Sequence, residues 1–108
     1  MRGFKALRLF QQAKDVLDTY PDMTLLHYTS LLAVAAHPGI GTTEVQECVG
    51  GARSSGMRAV QDLGERRLNG KPGYKLVETM PDPTDKRRNI LQLSEKGKAF
   101  VTQLTERL

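Results

Sequence analysis

From residue 3 to residue 36 apolar side chains recur at helical spacing, and after residue 73 the pattern changes to alternation. Phe4, Leu7, Leu9, Phe10, Ala13, Val16, Leu17 and Tyr20 predict a helix over residues 3 to about 19, with apolar positions covering a wide arc. So wide an arc fits two contacts, one to its own core and one to a partner chain, or a helix sunk deep in its own fold. Tyr20-Pro21-Asp22 ends it, because the residue before a proline disfavours helical geometry. Thr24 to His37 follows as a second helix, with Asp22 or Thr24 placed to cap it. Leu25, Leu26, Tyr28, Leu31, Leu32, Ala33, Val34, Ala35 and Ala36 make it apolar on nearly all sides, the mark of a buried central helix. Pro38-Gly39-Ile40-Gly41 forces a turn. Thr43-Glu-Val-Gln46 has the form of a capping box opening a short helix to Val49, whose apolar edge is Val45, Cys48 and Val49, with Cys48 in the core.

Gly50-Gly51 permits a sharp turn with positive φ. The helix predicted next, from Arg53 to about Leu68, places Gly56, Val60 and Leu63 along one side. Arg53, Ser54, Ser55, Arg58 and Gln61 carry side chains that can hydrogen-bond base edges or phosphates. A short helix, a glycine turn and a helix with a donor-rich first half make a helix-turn-helix. Asn69 to Gly73 breaks the pattern. Tyr74, Leu76 and Glu78 then alternate with Lys75, Val77 and Thr79 up to Met80, and Asn89 to Leu93 alternates likewise. Pro81 to Arg88 between them has turn formers first and cations last, which predicts a two-stranded hairpin with a basic tip. Ser94-Glu-Lys-Gly97 leads into a last helix with Phe100, Val101, Leu104 and Leu108 as its apolar positions. The expected fold is mainly α (α+β): a winged helix-turn-helix of about five helices and a two-stranded β-hairpin wing, one domain over residues 1–108.

Charge sharpens this picture by its placement. The net charge is +4, yet residues 52–98 hold eleven Lys/Arg against six Asp/Glu while the rest holds five against six, so the excess begins at the donor-rich helix. A basic patch so placed suits a phosphate backbone. The lone Cys48 excludes an internal disulfide and fits a reducing compartment. The longest apolar run, Leu31 to Ala36, is far short of a membrane span, and Arg2 and Lys5 precede no signal-peptide core; a cytoplasmic protein without a membrane partner is expected. His27 and His37 belong to no cluster of ligands and are read as structural. Without a paired His/Asp/Ser set, metal-spaced residues or a phosphate-binding glycine loop, no enzymatic activity, metal or cofactor is expected.

The segment Asp85-Lys-Arg-Arg-Asn-Ile-Leu-Gln-Leu-Ser-Glu-Lys-Gly97, with Asp82-Pro83 before it, resembles the wing of the multiple-antibiotic-resistance regulator (MarR) family, an acidic residue and arginines leading to Leu-Ser/Thr-x-x-Gly. Met23 to Leu32, Thr43 to Val45 and Ser54 to Arg58 align with that family's second, third and recognition helices, so the resemblance covers roughly residues 20 to 100. It departs at Gly51 and Ala52, where an apolar residue and a capping Ser or Thr are common, and in the glycine-rich stretch 69–75. The resemblance implies that Arg87 enters a minor groove with Asp85 orienting it. It also implies that Ser54, Ser55 and Arg58 face the major groove or its phosphates, and that residues 3–19 and 97–108 form a homodimer. A small-molecule effector between the dimerisation and DNA-binding parts is implied as well. On chemistry alone, the forked guanidinium groups of Arg53 and Arg58 suit guanine edges, whereas Lys71, Lys75, Lys86 and Arg88 suit phosphates. The function expected is a sequence-specific regulator of transcription that binds double-stranded DNA, with recognition helix 53–68 in the major groove and wing 81–88 in the minor groove. The alternative is a winged-helix adaptor that binds another protein.

Overall fold

A computed structural model describes residues 3–67 and 69–106. Arg2, Leu68 and Leu108, each drawn on above, lie outside the described residues. The elements run α1 (Gly3–Thr19), α2 (Leu25–Ala36), β1 (Ile40–Gly41), α3 (Thr42–Val49), α4 (Arg53–Asp62), β2 (Val77–Pro81), β3 (Asn89–Leu93) and α5 (Glu95–Thr105). Helices α2, α3 and α4 pack together with the sheet and α5 around one core, in which Leu31 and Val34 of α2 meet Val45, Val60, Leu63, Leu76, Leu91, Phe100 and Leu104. This is a winged helix.

The sheet has three strands, not the two that alternation predicts. Its order is β1-β3-β2, antiparallel throughout, with Val77 opposite Leu93 and Pro81 opposite Asn89. The stretch taken for a bare turn supplies the third strand: Ile40 pairs with Leu91 and Gly41 with Ile90. Two residues are too few for alternation to reveal, so only the neighbouring strand identifies them. The hairpin's first strand also starts later, at Val77 instead of Tyr74, because Lys75 takes a left-handed φ of 59°.

Helix α2 is central but not buried all round. His27, Ser30, Leu31 and Val34 are buried, while Leu25 and Leu32 are exposed. Its cap is a box of its own: the Thr24 hydroxyl accepts from the His27 backbone N–H at 3.1 Å, and the Thr24 N–H donates to His27 Nδ1 at 3.0 Å. The box expected at Thr43–Gln46 does not form. Pairing of β1 with β3 holds Gly41 extended as the N-cap in place of Thr43, so α3 starts two residues early, and no side chain caps it. Cys48 is exposed, not core; Val45 alone is buried in α3.

Helix α1 rules out one of its two readings. It is not sunk in its own fold: only Val16 is buried, and Phe4 (79% exposed), Leu7, Leu9, Phe10 and Leu17 face outward. Among the described residues no helix is long and apolar enough to cross a membrane.

Candidate nucleic-acid interface

Gly50 and Gly51, at φ 85° and 78°, make the turn that joins α3 to α4, a left-handed geometry that a β-carbon would strain. Helix α4 buries Gly56, Ala59 and Val60, with Leu63 completing the stripe, and exposes Arg53, Ser54, Ser55, Arg58 and Gln61. Gly56 lets the two helices approach closely, since a β-carbon there would lie 2.6 Å from Gln46 Cγ. The helix begins at Arg53 with Ala52 as an N-cap that offers no side-chain acceptor, so its first turn keeps backbone N–H groups for an outside partner.

Helix α4 stops at Asp62, well short of the residue 68 predicted. The physical reason is a competing set of backbone bonds. The carbonyls of Asp62, Leu63, Gly64 and Glu65 accept from the N–H groups of Tyr74, Leu76, Lys75 and Gly73 at 2.8–3.0 Å, so they cannot continue the helical ladder. Gly73 is needed there because a β-carbon would lie 2.9 Å from the Asp62 carbonyl oxygen.

The wing tip holds its own shape. The Asp82 carboxylate accepts from the Thr84 N–H at 2.9 Å and its hydroxyl at 2.8 Å; these bonds, the backbone one first, keep Asp82 below the usual carboxylate range. Asp82 N–H donates to the Arg88 carbonyl and Arg88 N–H to the Asp85 carbonyl, closing the loop. Asp85 Oδ1 accepts from the Arg87 backbone N–H at 3.1 Å and lies 3.4 Å from its Nε, with the Arg87 side chain 93% exposed. Lys86 is exposed beside it. Arg88 is placed differently: its guanidinium pairs with Glu44 of α3 and lies 3.7 Å from Asp82.

The donor face of α4 and the wing strands flank one cleft of about 990 Å³, in which Ser54, Arg58 and Gln61 stand across from Thr79, Met80 and Asn89. Arg66, not singled out in the sequence, also lines it; its only signal there was membership of the basic segment. Lys71 and Lys75 sit outside this cleft, on the loop that ends α4.

Under the end of α4 lies a polar cluster that the sequence did not disclose. His27 Nε2 and Asp62 Oδ2 are 2.8 Å apart and largely buried. Arg67 pairs with Asp22 at 2.6 Å and stacks 4.4 Å above the Tyr74 ring, whose hydroxyl donates to the same carboxylate at 3.0 Å. Arg67 holds Asp22 below the usual carboxylate range. These contacts tie the α1–α2 corner to the segment after α4, across 45 to 52 residues of sequence. Burial first, then the bond to Asp22, pushes the Tyr74 phenol up to about 12 from its ordinary 10. The unfolded chain therefore ionises Tyr74 first, and the stability held by the neutral phenol is lost as pH rises from 10 through about 12. Tyr74→Phe is expected to melt lower than the parent at pH 8, with the gap closing across that alkaline window. A gap independent of pH would contradict the assignment.

No protein-family model matches the chain, and no curated protein matches it. Solved structures do. The PcaV transcriptional regulator from Streptomyces coelicolor, in complex with its natural ligand, is 31% identical with a TM-score of 0.64, over 94% of this chain and 68% of that one. MarR is 19% identical with a TM-score of 0.65, over 97% and 72%. The DNA complex of MepR from S. aureus is 19% identical with a TM-score of 0.74, over 94% and 70%. The last two likenesses show the fold.

Proposed function

The chain belongs to the MarR family of winged-helix transcriptional regulators, and from that premise we propose that it binds double-stranded DNA sequence-specifically as a homodimer. The observation that carries this reading is the cleft between α4 and the wing, with arginine, serine and glutamine side chains displayed on its helical wall. A major groove admits an α-helix. Helix α4 enters it with Arg53 and Arg58 toward base edges, Ser54, Ser55 and Gln61 beside them, and the uncapped N-terminus toward phosphate. Arg87 reaches the adjacent minor groove, where concentrated negative potential favours an arginine, and Asp85 orients its side chain. Lys71, Lys75 and Lys86 add contacts to flanking phosphates. MepR, of the same fold, is known in a DNA complex.

The apolar side of α1 supplies the dimer contact, with α5 alongside it. Phe4, Leu7, Leu9, Phe10 and Leu17 form too large an exposed apolar surface for a solvated helix. A two-fold dimer presents two α4 helices to two half-sites. A small-molecule effector belongs to the same reading, since PcaV is known in complex with its natural ligand.

Selection of bound duplexes from a random DNA pool, with molecular mass measured on free and bound protein, tests the reading. Enrichment of a pseudo-palindrome bound by two chains is expected, with affinity falling steeply as salt rises. No duplex affinity at low salt, together with co-purification of one protein partner, would overturn it in favour of an adaptor.

A further inference from the structure

The chemistry of its side chain assigns Arg88 to the phosphates along with Lys86, but its surroundings do not. Its guanidinium crosses β1 from the wing to the first turn of α3, where Nη2 meets Glu44 Oε1, while Nε faces Asp82 Oδ2 at 3.7 Å. Gly41 of β1 lies directly beneath. A β-carbon there would stand 2.8 Å from Arg88 Nη2, 3.0 Å from Arg88 Nε and 2.9 Å from Glu44 Oε1. Gly41 has φ −75° and ψ 155°, ordinary extended backbone that any residue adopts. Conformation therefore gives no reason for glycine at this position, and room for the Arg88–Glu44 pair does.

We infer that Arg88 is a positioning residue: with Glu44 it clamps the base of the wing to α3 across Gly41, and so fixes where the neighbouring Arg87 is presented relative to α4. Electrostatics favours the clamp over release to DNA. Moving Arg88 to a phosphate would strand two carboxylates, Glu44 and Asp82, beside a polyanion, whereas the clamp leaves one anion offset and the other partly so. The pair is about half exposed, at 43% and 49%, so its effect is modest and acts through geometry more than through stability.

The inference rests on the DNA-binding reading for its consequence but not for its existence, and the two fail separately. Removing a carboxylate from a DNA-binding surface should by charge alone strengthen binding. The clamp predicts the opposite sign: Glu44→Gln and Arg88→Gln each weaken binding to the selected duplex by about two- to fivefold. The double variant is then no weaker than either single one, and the slope of log affinity against log salt stays at the parent value. Glu44→Gln binding as tightly as the parent or tighter, or a slope about 0.9 shallower in Arg88→Gln, the loss of one phosphate contact, overturns it. Hydrogen exchange of the free protein supplies a readout independent of DNA. Glu44→Gln and Gly41→Ala, which adds only the displacing methyl group, are expected to speed exchange of the Asp82, Thr84 and Arg88 amides several-fold while leaving α5 unchanged. Unaltered exchange in the wing overturns the clamp whether or not the protein binds DNA.

Discussion

Gly97→Ala is expected to destabilise the domain by about 2 kcal/mol, lowering the melting temperature by on the order of 10 °C. Two effects oppose each other. Alanine is the better helix former by about 1 kcal/mol in a helix interior. Against that, a β-carbon on Gly97 would overlap the Leu76 carbonyl oxygen and lie 3.0 Å from the Leu76 carbonyl carbon, where backbone stands on both sides and no side chain can swing away. Overpacking of this kind costs up to about 3 kcal/mol, so the steric term wins. The contact is tight because Ser94 draws α5 onto the chain entering β2. Its hydroxyl caps Gly97 N–H at 3.0 Å and donates to the Lys75 carbonyl at 2.7 Å, while its N–H bonds the Leu76 carbonyl at 3.0 Å. The Leu-Ser-x-x-Gly signature thus has a packing cause. Thermal unfolding followed by circular dichroism checks it, and a variant melting within a degree or two of the parent would refute the account.

Arg58→Ala is expected to lose about 1–3 kcal/mol on the selected duplex, roughly ten- to hundredfold, and far less on random DNA. Among the described residues Arg53 and Arg58 form no ion pair, in contrast to Arg88, so both forks are available to a base edge. Arg58 lines the cleft on the wall that faces the wing. Discrimination at one base pair should relax in the variant while the remaining positions keep theirs. Equal losses on specific and random duplexes would instead make Arg58 a phosphate contact. Arg87→Ala provides the companion measurement: if it binds specific and random duplexes with equal affinity changes, the wing reads no groove width.

Much of this was legible in one dimension. Helix α1 and strand β3 fall at the limits their periodicity predicts, and the Gly56–Val60–Leu63 stripe faces the core as its spacing requires. Asp85 and Arg87 are two residues apart, so the contact between them is local and the sequence carries it directly. The misplaced features share a different character. The end of α4 depends on backbone N–H groups of residues 73–76, and the N-cap of α3, Gly41, depends on its pairing with Ile90, 49 positions away. Cys48 is apolar enough for a core, yet α3 turns it to the exposed side while Val45 faces inward.

The sequence by itself determined the order of helices, the glycine turn, the basic wing and the donor-bearing face, because each follows from period, turn chemistry or neighbouring charge. Only the tertiary structure decided where α4 stops, that Ile40–Gly41 is a strand, and that Asp22, His27, Asp62, Arg67 and Tyr74 form one cluster. It also took Arg88 away from the phosphate role its chemistry suggests: Arg87 is turned to solvent and Arg88 is held by Glu44. The physical reason is that a carboxylate 44 positions away competes for a guanidinium only once folding has brought the two together.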